Sequence, residues 1–335
     1  MKIHKLIFVS SMMMGTLITA SSYSWFSMWM GLEINLLSII PLFSSTKNVY
    51  SSESAMKYFI TQAMASLILL AAVIMMLLIE EFINPQMNFL FFMMMNSALL
   101  TKVGAAPFHF WFPEVIEGLS WTNSLILLTW QKIAPMLMIM NNKLNVTFLT
   151  MIILTSLMVS TISGFNQISL RKILAFSSIN HIAWMLASMM ISLSMWTIYF
   201  LVYSLINANI IAMFNSTKTF YMSQINNFMN QNKMIKLSFM VNFLSLGGLP
   251  PFIGFLPKWL VINWMTNMEM ILITITMIVT TLIMLFIYMR ILMSSMVMMT
   301  NEPKISQKMN NMSMSIINMT TILSLVTCSL IPSFY

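Results

Sequence analysis

The chain has 335 residues, 59% of them hydrophobic and only 7% charged, where soluble domains carry about 25% charged residues. A surface so poor in charge cannot face water, and a mean hydropathy of +0.86 makes lipid its main solvent. The net charge of +8 would suggest nucleic acid in a soluble protein. Here the basic residues lie mostly between apolar runs, so they orient the chain in a bilayer, and no nucleic-acid partner is expected. The lone Cys328 excludes an intrachain disulfide and a thiolate metal site. The 42 methionines exceed any packing demand, since Met is only one adaptable apolar side chain among several. They point to a codon bias such as organelle genomes show.

Lys2, His4 and Lys5 precede an apolar run that resembles a signal peptide. A second run follows almost at once, so the first reads as a retained span, with no cleavable presequence. Stretches of ~20 apolar residues then fall at 6–21, 24–43, 55–79, 87–112, 121–141, 146–165, 171–190, 194–215, 236–264, 269–293 and 314–334. The fold class expected is an all-α polytopic membrane protein of about eleven transmembrane helices, because barrel strands would be short and alternating. With that count Lys2, Lys5, Lys47, Lys57, Arg171, Lys172, Lys218, Lys233, Lys236, Arg290, Lys304 and Lys308 share the N-terminal side, and only Lys143 falls opposite. The positive-inside rule places the N-terminus in the interior compartment and the C-terminus outside.

Two of these spans are interrupted by Gly and Pro. KVGAAPFHFWFP runs from Lys102 to Pro113, and LGGLPPFIGFLPKW from Leu246 to Trp259. Both contain G-x-x-P-F-x-x-x-x-P, through Gly104, Pro107, Phe108 and Pro113 and through Gly248, Pro251, Phe252 and Pro257, with Pro250 beside the second break. The interrupted spans are an odd number of crossings apart, so the copies enter the membrane from opposite sides. This predicts inverted repeats, 6–141 and 146–293, each of five helices with one broken, followed by a terminal helix 314–334. Two unrelated Pro kinks are the alternative.

Ionisable residues at membrane depth cost about 2.5–3.5 kcal/mol each on insertion scales. Glu33 lies mid-span in MGLEINLLSIIP, Lys102 just before the first break, Lys132 mid-span in TWQKIAP, and Lys258 just after Pro257. They suggest a titratable row, because a buried lysine exchanges its proton readily. Pro135 is expected to loosen the helix beside Lys132. Glu33 with Lys102 could instead be a structural ion pair, and Lys258 could snorkel to a surface. His181, in SSINHIAW, and His109, after the first break, are candidate relays or satisfied core histidines.

MGLEINLLSIIPL, GAAPFHFWFPEVIEGLSW, TWQKIAP, RKILAFSSINHIAW and FLSLGGLPPFIGFLPKW together resemble the NADH dehydrogenase subunit 2 family of animal mitochondria. The likeness runs from about 15 to 295, and the last forty or so residues match only in apolar character. The resemblance implies an antiporter-like, proton-translocating subunit in the membrane arm of respiratory complex I, in the mitochondrial inner membrane, with its N-terminus in the matrix and its C-terminus in the intermembrane space. It implies proton-carrying roles for Glu33, Lys102, Lys132 and Lys258. Its implied partners are other membrane-arm subunits, including a neighbouring antiporter-like subunit and small membrane subunits, and phospholipids. No dinucleotide fingerprint, cysteine cluster or haem-spaced His pair is present. The chain is therefore expected to hold no cofactor, with FMN, iron–sulfur clusters and ubiquinone in other subunits. A stand-alone cation/proton antiporter and a purely structural scaffold are the rival readings.

The orientation is directly testable. In mitoplasts with an intact inner membrane, external protease should remove a tag at Tyr335 and spare one at Met1. The reverse result would mean that a span is miscounted.

Overall fold

Long apolar runs without a water-facing side leave the backbone only one way to satisfy its polar groups, which is within each segment. The computed structural model accordingly forms helices. It describes residues 3–45, 48–80, 85–142, 145–229, 233–297, 319, 320 and 323. Fourteen α-helices are present among them: α1 Ile3–Ser21, α2 Trp25–Phe43, α3 Val49–Glu80, α4 Pro85–Val103, α5 Trp111–Gly118, α6 Trp121–Leu128, α7 Trp130–Asn141, α8 Val146–Phe165, α9 Leu170–Ile191, α10 Leu193–Thr217, α11 Met222–Met229, α12 Lys233–Gly247, α13 Phe255–Asn267 and α14 Ile271–Val297. No strand occurs among the described residues beyond one isolated bridge, Ser169 with Tyr221. Six helices, α2, α3, α8, α9, α10 and α14, contain stretches long and apolar enough to cross a membrane. The expected terminal helix 314–334 lies outside the described residues apart from Met319, Thr320 and Leu323.

Three expected single spans are each two helices. The span 87–112 divides into α4 and α5, and 236–264 into α12 and α13, at the Gly/Pro interruptions. The span 121–141 divides into α6 and α7 at Thr129, whose backbone (φ −114°, ψ −72°) departs from the helix. Thr129 places both its N–H and its hydroxyl on the Leu125 carbonyl, at 3.0 and 2.7 Å. Pro135 itself stays inside α7. A proline lacks the N–H that would bond the carbonyl one turn earlier, and its ring crowds that carbonyl. The helix yields upstream of that turn, at Thr129, rather than at the proline.

Residues Met1–Leu149 and Thr150–Tyr335 form two compact units. In the first, α1 packs on α2 backbone to backbone. A Cβ on Gly15 would lie 2.9 Å from the Gly31 carbonyl oxygen and 2.9 Å from the Asn35 nitrogen. Small residues permit such close approach between membrane helices, and this contact fixes the stretch of α2 that carries Glu33 and Asn35. Around α2 stand α3 and α7, with α4 against both α3 and α7. In the second unit nearly every residue of α9 is buried, and α10, α13 and α14 pack around it.

The two breaks have one design. Each first half-helix ends at the residue before a positive-φ glycine, Gly104 (φ +83°) or Gly248 (φ +78°). The next residue then bonds back across the turn, Ala105 N–H to Leu100 O at 3.1 Å and Leu249 N–H to Leu244 O at 3.4 Å. That is the six-to-one bond of a Schellman ending, which favours glycine at the left-handed position. A further turn follows in both, Phe108 N–H to Ala105 O and Phe252 N–H to Leu249 O. Each second half-helix has proline as its third residue, Pro113 in α5 and Pro257 in α13. There the missing N–H has no intrahelical partner to lose. The Ala106–Pro107 peptide is cis.

Gly254 closes the second break against α12, where an added Cβ would collide with the Ser245 carbonyl oxygen. Gly254→Ala should therefore force α12 and α13 apart, at a cost of about 1–3 kcal/mol for an overpacked contact. A lower yield of assembled protein on native gels, with the neighbouring Leu249→Ala nearer the parent level, is the expected outcome.

Candidate functional site

In the first unit, Lys102 occupies the last turn of α4. Cations are favoured there by the negative end of the helix dipole. It is 6% exposed, a rare state for a lysine. Glu33 lies on α2 and is half-buried; its Oε1 atom is buried and accepts no hydrogen bond from the described residues. Glu33 and Lys102 do not form a direct ion pair among the described residues, although the carboxylate acts on the ammonium through its field. The paired arrangement weighed from sequence is thus replaced by a spaced one.

Between α2, α3, α4 and α7 lies a cavity of about 10 Å³ lined by Lys102, Asn35, Tyr58, Gln62, Gln131 and apolar neighbours. Asn35 and Gln131 exchange both amide hydrogen bonds, Nδ2 to Oε1 at 3.1 Å and Nε2 to Oδ1 at 2.9 Å. Tyr58 adds its hydroxyl to Gln131 Oε1 at 3.2 Å, and Gln62 donates to the Lys102 carbonyl at 3.4 Å. Asn35, Tyr58, Gln62 and Gln131 are not among the residues expected from sequence. The three amides had a readable signal, a neutral polar side chain within an apolar run. Tyr58 had none, because tyrosine is common in such runs.

Lys132 is 1% exposed and stands in the first turn of α7, with its ammonium 5.8 Å from the centre of the Phe112 ring. That distance permits a cation–π contact. Phe112 is also the side chain that a Cβ on Gly104 would strike, at 3.2 Å, so the first break and Lys132 share a neighbour. His109, within the break, is buried, with its ring 4.4 Å from that of Phe110; its Nδ1 has no hydrogen-bond partner among the described residues. At the exposed end of this region Glu114 of α5 binds Lys57 of α3 at 3.0 Å, and Glu53 binds the same ammonium at 3.0 Å. A Cβ on Gly118 would lie 2.5 Å from the Tyr50 carbonyl oxygen, so α5 is held closely on α3.

In the second unit, Lys258 is 6% exposed. Its ammonium donates to the Leu246 carbonyl at 3.2 Å and the Gly247 carbonyl at 3.0 Å. These belong to the end of α12, whose last carbonyls have no partner within the helix. The snorkelling alternative is not what the side chain does, since it turns inward over its own break. Gly248 is required twice, for its positive φ and because a Cβ would meet Lys258 Cδ at 2.8 Å. Lys258 also lies 5.8 Å from the centre of the Trp184 ring. Trp184 stacks on Tyr199 at 6.4 Å, and the Tyr199 hydroxyl bonds His181 Nδ1 at 2.9 Å. Tyr203 flanks the His181 ring at 5.0 Å. Trp184, Tyr199 and Tyr203 were likewise not expected from sequence. Asn180, on the same helix, keeps a buried Oδ1 without a partner. No group of three or more His, Cys, Asp or Glu side chains that could hold a metal occurs among the described residues.

The arrangement can therefore hold charge at membrane depth in two places and surround it with hydroxyl, amide and imidazole groups. Residues 22–284 match the family model described as NADH:quinone oxidoreductase/Mrp antiporter, TM. The chain is 50% identical over 311 residues to NADH-ubiquinone oxidoreductase chain 2 of Anopheles gambiae, covering 92% of this chain and 90% of that one. It is 51% identical over 325 residues to the same-named protein of Aedes aegypti, covering 97% and 94%. Its fold is similar to a chain of respiratory complex I from Thermus thermophilus, with a TM-score of 0.88, 21% identity, and coverage of 99% of this chain and 79% of that one. The chain belongs to the NADH-ubiquinone oxidoreductase chain 2 family of antiporter-like membrane subunits.

Proposed function

We propose that this chain moves protons in the membrane arm of NADH:ubiquinone oxidoreductase, using Glu33, Lys102, Lys132 and Lys258, driven by electron transfer in other subunits. The observation that carries the reading is a lysine buried at each of two helix breaks, Lys102 and Lys258, with a third at the α6–α7 break. Burying three ammonium groups is costly, and a chain with only 7% charged residues nevertheless places one at each of three helix breaks. His181 and His109 are proposed relays. His181 has the better setting, because its Tyr199 bond fixes the ring.

The protein is a multi-pass subunit of the inner membrane. The finer proposal is about eleven crossings in two inverted repeats, 6–141 and 146–293, with a terminal helix 314–334, the N-terminus in the matrix and the C-terminus in the intermembrane space. Identical bounds of the two breaks, 104–110 and 248–254, support the repeat. The partners proposed are other membrane-arm subunits, among them an adjacent antiporter-like subunit and small membrane subunits, together with phospholipids. FMN, iron–sulfur clusters and ubiquinone are assigned to those other subunits.

Lys132 and Lys258 separate the chemical role from the structural one. Lys132→Met should assemble nearly normally, because Met fits an apolar niche, and should lower protons moved per NADH in reconstituted vesicles. Lys132→Arg should not restore pumping, since Arg holds its proton too tightly to pass it on. Lys258→Met should lower both pumping and assembly, because it strips two buried carbonyls of their donor at about 1–3 kcal/mol. Full pumping in Lys132→Arg would make that residue a fixed charge and defeat the relay.

A further inference from the structure

Lys102 lacks what Lys258 has. Among the described residues its ammonium has no carboxylate or carbonyl partner, although it is 6% exposed. A buried ammonium without a hydrogen-bond acceptor is too costly to persist, and buried polar groups that protein atoms leave unmet are met by water. The cavity that Lys102 lines has a volume of about 10 Å³. That is the room one water needs, provided two to four polar partners surround it. Asn35, Tyr58, Gln62 and Gln131 supply them.

We propose that Tyr58, Gln131 and Asn35 form a positioning triad that holds one oriented water against Lys102. This deepens the reading of Lys102 as a proton-carrying group and rests on it. The orientation follows from hydrogen-bond accounting. Tyr58 spends its only proton on Gln131 Oε1, which leaves its oxygen as an acceptor. Gln131 Oε1 already accepts from both Asn35 and Tyr58. The amide pair is reciprocal, so neither side chain can rotate without losing two bonds. A water in the cavity would therefore accept from Lys102 and donate to Tyr58. The chain of donors runs from Lys102 through water and Tyr58 and stops at Gln131, because an amide oxygen passes no proton on. Its role is to hold the charged lysine, and proton release from Lys102 must follow another direction.

The placement ties this triad to two other sites. Asn35 is two residues from Glu33 on α2, and Gln131 adjoins Lys132 on α7. The same hydrogen bonds that orient the water fasten α2 to α7, so they also set the spacing of these ionisable groups.

The test uses the intact complex, as parent and as Tyr58→Phe, with a map fine enough to show ordered water and with protons per NADH measured in vesicles. The expected result is a water peak within hydrogen-bond distance of Lys102 Nζ and Tyr58 Oη in the parent. In Tyr58→Phe the peak should be lost and protons per NADH should fall. A dry cavity in the parent would overturn the site. A water that persists in the Phe form, or unchanged pumping after its loss, would overturn the positioning role. The parent map does not depend on pumping, so it still reports the water if the Lys132 variants show that the proton-carrying reading fails.

Discussion

Breaking a helix inside a bilayer frees carbonyl oxygens that lipid cannot satisfy, and the rest of this structure is arranged around that debt. At the second break it is met by Lys258, which reaches back from α13 to the last carbonyls of α12. At the first break the lysine is Lys102, in the final turn of α4 itself. With the two G-x-x-P-F motifs aligned, Lys102 stands where Leu246 does, and Leu246 supplies one of the two carbonyls that Lys258 binds. Each break thus has a lysine beside it, one in the last turn of the first half-helix and one reaching back to that half-helix's last carbonyls.

The two breaks differ in how that charge is neutralised. Lys258 binds protein carbonyls directly, and beyond it lie Trp184, Tyr199 and His181 in an aromatic series. Lys102 faces amides, a phenol and a small cavity, with Glu33 acting at a distance. A direct ion pair would bind the lysine proton strongly and resist its departure. A spaced carboxylate allows the interaction to be altered by modest movement, because Coulomb energy in a low dielectric changes steeply with separation. Breaking a direct buried pair would cost about 3–5 kcal/mol, a barrier that the spaced arrangement avoids.

Much of this was legible in the sequence because glycine and proline act locally. The G-x-x-P-F-x-x-x-x-P spacing specified two chain interruptions, and the structure gives them the same bounds, 104–110 and 248–254. The buried lysines were legible because charge is so rare here. The Thr129 break was not, since threonine and tryptophan are ordinary helix residues and Pro135 drew attention to the wrong turn. The spaced Glu33–Lys102 geometry was not legible either. It depends on how α1 seats α2 through Gly15 and Gly31, which is a tertiary contact. Tyr58 and Tyr199 owe their importance to partners 73 and 18 residues away, and no local pattern marks them.

The Thr129 break changes what Lys132 is. In an unbroken helix it would be a mid-helix residue, neutral with respect to the dipole. With α7 beginning at Trp130, Lys132 falls in a first turn, where the helix dipole opposes a positive charge. Lys102 sits in the last turn of α4, and Lys258, though in the first turn of α13, reaches the last carbonyls of α12. The Lys132 ammonium lies 5.8 Å from the centre of the Phe112 ring, within cation–π range. On the proposed proton path, a first-turn position is one where the helix dipole would ease release of a proton from Lys132. On that path, a stopping point at Lys132 would leave each step only part of the climb of about 2.3 kcal/mol per 100 mV.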